Sequence, residues 1–431
     1  MLVKAYLRKS SRIFLVHVLF TNFISYKTQL FLHKHVVQHL KKIEMTRTIV
    51  TLISIFVFTS AIAQEAIVIP KYLQNPMDSI TKQSFNQSLE IFFSEMEQGK
   101  INEDLLTPKR ADLTKSQLQE LVNYEIKKDS IAKETQDKFL INIYPISSDK
   151  YFIIISYTYQ NPETNPILLY TINLIATETN DKFTFSVPLD YLTRYWKTET
   201  VGNITYHFRE KINEEKAKIF DNKNIEIAGK LGLKPEKLDF YMTDNFQEIS
   251  ELLGFGYSLY SNGKYRDGYG VDTKTIFAVM NNEDFSHDMF HYYSGQINKR
   301  ENRNWITEEG IAYAWGNAYY TDKNGEMISN KRLITELKDY LAKNPNTDLF
   351  ELFSKNEKIF NNIAPEISVR STISGIIASQ IEKKKGMEGI LKLINAGRKD
   401  RLENYLKVTN ELIGINKDNF NLKVVKLIND N

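Results

Sequence analysis

Apolar residues return with a helical period at Phe85, Leu89, Phe92, Phe93 and Met96, which predicts a helix opening at Ser84 with one apolar face, and Gly99 stands where it would end. After a polar helical stretch the pattern changes. Segments 139–146, 151–159, 167–176 and 183–187 are rich in Ile, Tyr and Phe, and turn-forming runs such as Ser-Ser-Asp-Lys and Asn-Pro-Glu-Thr-Asn-Pro separate them. Those are strand signals, so this part is expected to be a helix followed by a curved sheet. A second unit is expected from about residue 202. It starts with a strand at 204–208, turns helical through 210–231, and returns to strand at 238–242 and 275–280. From Phe285 onward the pattern is mostly helical, punctuated by Gly310, Gly316, Gly375, Gly386, Gly397 and Gly414. The fold class this predicts is α+β. No internal repeat or low-complexity tract is visible.

Ahead of these units, Met45-Thr46-Arg47 is followed by fifteen largely apolar residues, 49–63, which end in Ala61-Ile62-Ala63 before Gln64. This is the three-part layout of a secretory signal peptide. At ~1.5 Å per residue the run is too short for a hydrocarbon core of ~30 Å. Residues 45–63 are therefore expected to be a signal peptide cleaved after Ala63, giving an exported protein, periplasmic or secreted, with no stable membrane span. Residues 1–44 are basic, rich in Phe and His, and precede the methionine that begins the signal, so they are expected to be an over-extended N-terminus. The alternative for them is a membrane-surface segment, because 13–20 is apolar between basic flanks. The expected organisation is thus 1–44, the signal at 45–63, an α+β module at 64–200 and a second domain at 201–431.

Composition narrows the function. With 431 residues, 42% hydrophobic and 25% charged, the chain is long enough for sizeable cores and is not globally disordered. It has no cysteine, which excludes disulfide scaffolding, zinc ribbons and thiol catalysis, and leaves any transition-metal site to His, Asp and Glu. The formal charge of +3 comes from the N-terminal segments: residues 1–64 carry nine Lys/Arg against one Glu, leaving 47 basic and 52 acidic side chains, a net of −5, for 65–431. A mildly acidic remainder argues against a nucleic-acid partner.

Chemistry concentrates at His287-Asp288-Met289-Phe290-His291, directly after the strand at 275–280. In a helix, residues four apart share one face, so both imidazoles can reach one metal ion. Only three histidines occur after residue 64, and carboxylates return eighteen residues after His291 in Trp305-Ile306-Thr307-Glu308-Glu309-Gly310-Ile311-Ala312, at the start of another helix. Two imidazoles and one carboxylate leave a tetrahedral Zn2+ one open position, and a water there is acidified towards pKa ~7.

These residues resemble the gluzincin (MA-like) metallopeptidases, in which one helix carries two histidines around a glutamate and a later helix supplies a ligand Glu before Gly-x-Ala. The resemblance implies His287, His291 and Glu309 as zinc ligands, Asp288 in the general-base position, and a peptide or protein substrate. Glu308 could exchange roles with Glu309, and motif position favours Glu309. Further similarity is carried by Lys237-Leu238-Asp239-Phe240-Tyr241-Met242, by a glycine-led strand over 268–280 beside the substrate, and by closing helices at 371–386 and 387–396, so that it spans about 202–431. The helix-plus-sheet part before it resembles the NTF2-like cone fold, with a packing or docking role.

Two positions depart from the gluzincin pattern. Asp288 is one methylene shorter than glutamate, which withdraws the carboxylate by ~1.5 Å, while a general base must come within about 2.6–3.2 Å of the proton it takes. No tyrosine stands in Val369-Arg370-Ser371-Thr372, where aminopeptidase-like members place an oxyanion donor, so that role falls to Arg370, Tyr313 or another group, or is empty. Two functions from different classes follow. One is an exported zinc peptidase; the other is a catalytically silent metal-binding relative acting as an envelope binding or scaffold module. Trp305, Trp315, Tyr292 and Tyr293 are expected in the core and cleft wall, His207 in a structural role, and Lys383-Lys384-Lys385 at a helix C-terminus.

Overall fold

A computed structural model describes residues 67–121, 136–159, 165–180, 182–259, 268–271, 274–278, 282–324, 326–399 and 401–431. The expected signal peptide at 45–63 and the segment 1–44 lie outside the described residues, as do 279–280 at the end of the strand expected there.

The chain is a mixed α+β structure with two small sheets. Its helices of seven or more residues are α1 (Ser79–Glu97), α2 (Ala111–Leu121), α3 (Glu214–Lys230), α4 (Phe246–Leu252), α5 (Ser286–Ile297), α6 (Trp305–Trp315), α7 (Asn330–Lys343), α8 (Leu349–Lys355), α9 (Val369–Ile394), α10 (Arg401–Ile413) and α11 (Phe420–Asp430), with a single turn at Leu189–Leu192 besides. The part after Phe285 is almost wholly helical, as its periodicity predicts. Among the described residues no helix is long and apolar enough to cross a membrane.

The first sheet holds β1 (Gln136–Pro145), β2 (Lys150–Tyr159), β3 (Ile167–Thr179) and β4 (Lys182–Ser186) in antiparallel order. α1 begins earlier than Ser84 because Asp78 caps it, accepting from the amides of Ile80 and Thr81 at 2.9 and 3.0 Å. The apolar face read from the sequence is buried against the sheet: Phe85 meets Phe183 edge-on with ring centres 5.3 Å apart, and Phe92 lies 4.6 Å from Phe185.

In spatial order the second sheet runs β5 (Lys197–Val201), β6 (Ile204–Phe208), β7 (Leu238–Met242), β10 (Thr275–Ala278) and β9 (Gly268–Val271). β6, β7 and β10 are parallel, and β5 and β9 close the edges antiparallel. β8 (Phe255–Ser258) leaves this half and pairs with β3 of the first sheet at Tyr170, Thr171 and Ile172, while β5 begins before residue 201 and pairs with β6. Arg110 ties the halves again, donating to Asp190 Oδ1 at 2.7 and 3.0 Å and to the Tyr241 hydroxyl at 2.8 Å.

Parallel pairing sets where the next helix starts. α3 is the crossover between β6 and β7, and the chain leaves the buried strand β10 to enter α5, which packs on α3 and α6. α9 carries a break at Gly386 (φ +62°), so the two closing helices read in the sequence are one element bent at that glycine, with Lys383, Lys384 and Lys385 ending its first arm.

Candidate metal centre

α5 has no capping side chain at Phe285; Asp284, one residue before it, takes over, accepting from the Ser286 amide at 2.8 Å. The other oxygen of Asp284 accepts from Lys223 Nζ at 3.0 Å and Asn317 Nδ2 at 2.6 Å. This fixes the helix start to α3 and to the segment after α6. One turn of α5 then stacks His287 and His291 on the same face, with their Nε2 atoms 3.3 Å apart. Asp288 joins them: one donor atom from each of His287, Asp288 and His291 lies within 4.8 Å of the others, a group that could hold a metal ion.

α6 brings two carboxylates to the same place from opposite sides. Glu309 faces both imidazoles, with Oε1 3.2 Å from His291 Nε2 and Oε2 3.6 Å from His287 Nε2. Glu308 is 1% exposed and lies behind, 3.5 Å from His291 Nδ1. Its oxygens accept from Ser294 Oγ and from Arg303 Nη1, the latter at 3.0 Å. Neighbouring helix residues point ~100° apart, and here the imidazole lies between the two. His287 is oriented in the same manner: its Nδ1 sits 2.9 Å from the Asn317 carbonyl. A carbonyl can only accept, so Nδ1 carries the proton and Nε2 presents its lone pair.

Charge in the cluster is divided unequally. Burial, reinforced by His291, pushes His287 down to about 4. Burial also opposes charge on His291, but Glu308 and Glu309 outweigh it and hold the imidazole protonated up to about 10. Glu309 is likewise opposed by burial, yet the bond to His291 keeps its carboxyl below the usual range. At Asp288 burial outweighs the attraction of His291 and raises the carboxyl to about 6.

Close backbone contacts hold α6 in position. A Cβ on Gly310 would stand 2.3 Å from Ser374 Oγ, and one on Gly375 would stand 2.8 Å from the Gly310 carbonyl, so α6 and α9 touch at paired glycines. At the end of α6, a Cβ on Gly316 would stand 2.8 Å from the His287 amide. The glycine after Glu309 is thus a packing requirement that sets how far the carboxylate reaches.

Beside the cluster opens a cleft of about 270 Å³ lined by Trp305, Glu309, Asn356, Arg370, Arg401 and Leu402 among others. Trp305 stacks on His291, with ring centres 5.6 Å apart and planes 7° from parallel, and is 54% exposed, so it forms cleft wall. Trp315 and Tyr293 are core residues with satisfied polar ends, on Glu382 and Asn224. His207 stacks on Tyr241 and contacts Asp239 at 2.9 Å, away from the cluster. Arg370 lines the cleft, but its Nε and Nη2 are held by the carbonyls of Phe353 and Ser354. Tyr313 lies with its ring 5.7 Å from that of His287, and its hydroxyl accepts from the Ser368 amide while keeping its own proton to give.

Sequence reasoning did not single out Asn317, Ser294, Arg303 or the Asp284–Lys223 pair as orienting groups. Ser294 was readable in principle, one turn beyond His291 on the same helix, but nothing in the sequence marks Asn317, which acts through its carbonyl. No protein-family model and no curated protein matches this chain.

Proposed function

We propose that His287, His291 and Glu309 hold a Zn2+ ion and that the protein is a zinc-dependent hydrolase acting on peptides. The observation that carries this reading is the spacing of the three donors. Ligands on a tetrahedral zinc with bonds of about 2.0–2.2 Å stand about 3.3–3.6 Å from one another. Here the two Nε2 atoms stand 3.3 Å apart, and Glu309 sets one carboxylate oxygen on each imidazole, Oε1 3.2 Å from His291 Nε2 and Oε2 3.6 Å from His287 Nε2. The other nitrogen of each imidazole faces an acceptor, His287 Nδ1 a carbonyl at 2.9 Å and His291 Nδ1 the Glu308 carboxylate at 3.5 Å, as the second partners of metal-binding histidines do. Bound Zn2+ would supply Lewis-acid polarisation of a scissile carbonyl and lower the pKa of a water to ~7.

The protein's own residues have separable parts in this scheme. Glu308 orients His291. Glu309 and His287 complete the donor set, and Trp305 and Arg370 shape the adjoining cleft. Asp288 would take the proton from the attacking water, and Tyr313, whose ring lies 5.7 Å from that of His287 and whose hydroxyl keeps a proton to give, would stabilise an oxyanion. The short arm of Asp288 favours a second reading, a metal-binding relative without turnover. On that reading the protein is an envelope binding module, and the sheet of β1–β4, with its NTF2-like pattern, is its docking part.

Asp288→Glu separates the two. A slow peptidase limited by base placement should gain turnover on a mixed peptide library, by as much as the ~10²–10⁴-fold attributed to general acid–base catalysis. Asp288→Ala should lose it. Activity indifferent to both substitutions would remove Asp288 from the chemistry, and inactivity of all three proteins in the presence of stoichiometric zinc would favour the binding module.

A further inference from the structure

We infer that the cleft beside Glu309 is a carboxylate-binding subsite, so that the peptide recognised here carries a negative charge next to the bond presented to the metal centre. The inference rests on the hydrolase reading for the words peptide and bond, and on the cleft alone for the charge.

Two guanidinium groups line this one small cleft, Arg370 from the first turn of α9 and Arg401 from the first turn of α10. They are close enough that Arg401, second to burial, disfavours the charge on Arg370. Like charges held together in a half-enclosed space are costly unless an anion joins them. Among the described residues neither has a carboxylate partner. Glu309 is the carboxylate in the lining, and it is turned onto the histidines.

Arg370 is also anchored for the purpose. Its Nε and Nη2 donate to the carbonyls of Phe353 and Ser354 at the end of α8, which leaves Nη1 for another acceptor. Asn356, in the left-handed conformation at φ 54°, accepts from Ser368 Oγ and the Arg370 amide through Oδ1, so its NH2 remains a donor to the same cleft. Trp305, Ile306 and Leu402 supply an apolar wall. The site therefore offers a planar, anchored donor, a second cation and an apolar surface, which suits a carboxylate on a short carbon stem. A free peptide C-terminus and an Asp or Glu side chain both fit this chemistry.

The test is isothermal titration of the full-length protein with hippurate and its neutral amide, hippuramide, once with zinc and once in EDTA. Hippurate should bind about tenfold or more tightly than the amide, as expected for a charge-assisted pair, and the preference should persist in EDTA. Arg401→Gln should abolish it and Arg401→Lys should keep most of it; the Arg401 side chain makes no hydrogen bond or ion pair with the described residues, so neither change threatens the fold. N-acetylglutamate α-amide in place of hippurate identifies the source: if it binds more tightly the partner is an acidic side chain, and if hippurate does it is a terminal carboxylate. Equal affinities for hippurate and hippuramide in EDTA, or a preference untouched by Arg401→Gln, would overturn the subsite. A protein that takes up no zinc yet prefers hippurate would leave the subsite standing and remove the peptidase reading, whereas zinc uptake without that preference would do the reverse.

Discussion

Glu308 lies behind His291, where a buried carboxylate would serve a metal at this centre without touching it. It accepts from Ser294 and Arg303 and stands against His291 Nδ1, so its charge is compensated and its position is fixed. Replacing it by Gln removes that charge and should weaken zinc binding by ~10–100-fold. The same contact gives a pH dependence with a definite sign. In the metal-free protein His291 keeps its proton up to about 10, and a metal requires the bare nitrogen. Zinc affinity should therefore rise with pH, by about tenfold per unit across the neutral range, and level off above the His291 value, with about one proton released on uptake at pH 7. Calorimetry in buffers of different ionisation enthalpy reads that proton directly. A pH-independent affinity, or no proton released, would show that His291 is already neutral.

At the scale of elements, the centre depends on the contact between α6 and α9. Gly310→Ala would place a methyl carbon 2.3 Å from Ser374 Oγ and 2.8 Å from the Ser374 backbone. The helices must separate, which should cost about 1–3 kcal/mol, as overpacking does. Gly229→Ala on α3, where an added Cβ meets nothing within 4 Å, is the control and should be neutral or stabilising by up to about 1 kcal/mol. Chemical denaturation of the two variants checks this, and equal stabilities would mean that the glycine contact is not tight. Strands whose apolar residues alternate or run together were legible from the sequence, as at β2, β3, β6 and β7. β5 was not, because Lys197-Thr-Glu-Thr-Val201 is an exposed polar edge strand that buries no face. β8 was missed for a different reason. It has four residues, and it exists because β3 offers a free edge above β4, a long-range partner that no local pattern encodes.

On the scale of the whole molecule, three parallel strands deliver the chain from β10 to α5, and one helical hairpin of α5 and α6 folds four polar side chains onto one point. The histidine pair was legible because a period of four has meaning on its own, and Glu309 because of the glycine that follows it. Asn317 and Arg401 were not, since each depends on tertiary contacts far from the motif, and Arg370 was legible only as a candidate oxyanion donor, not as a cleft residue anchored on Phe353 and Ser354. The pairing of β8 with β3 and the bonds from Arg110 to Asp190 and Tyr241 join the first sheet to the half that carries the centre. One property of the centre itself decides whether it is a zinc site. Equilibration with zinc followed by removal of the excess and elemental analysis should find about one zinc per wild-type chain, with most of it lost in His291→Ala. A wild-type protein without zinc, or a His291→Ala variant that keeps one equivalent, would contradict it.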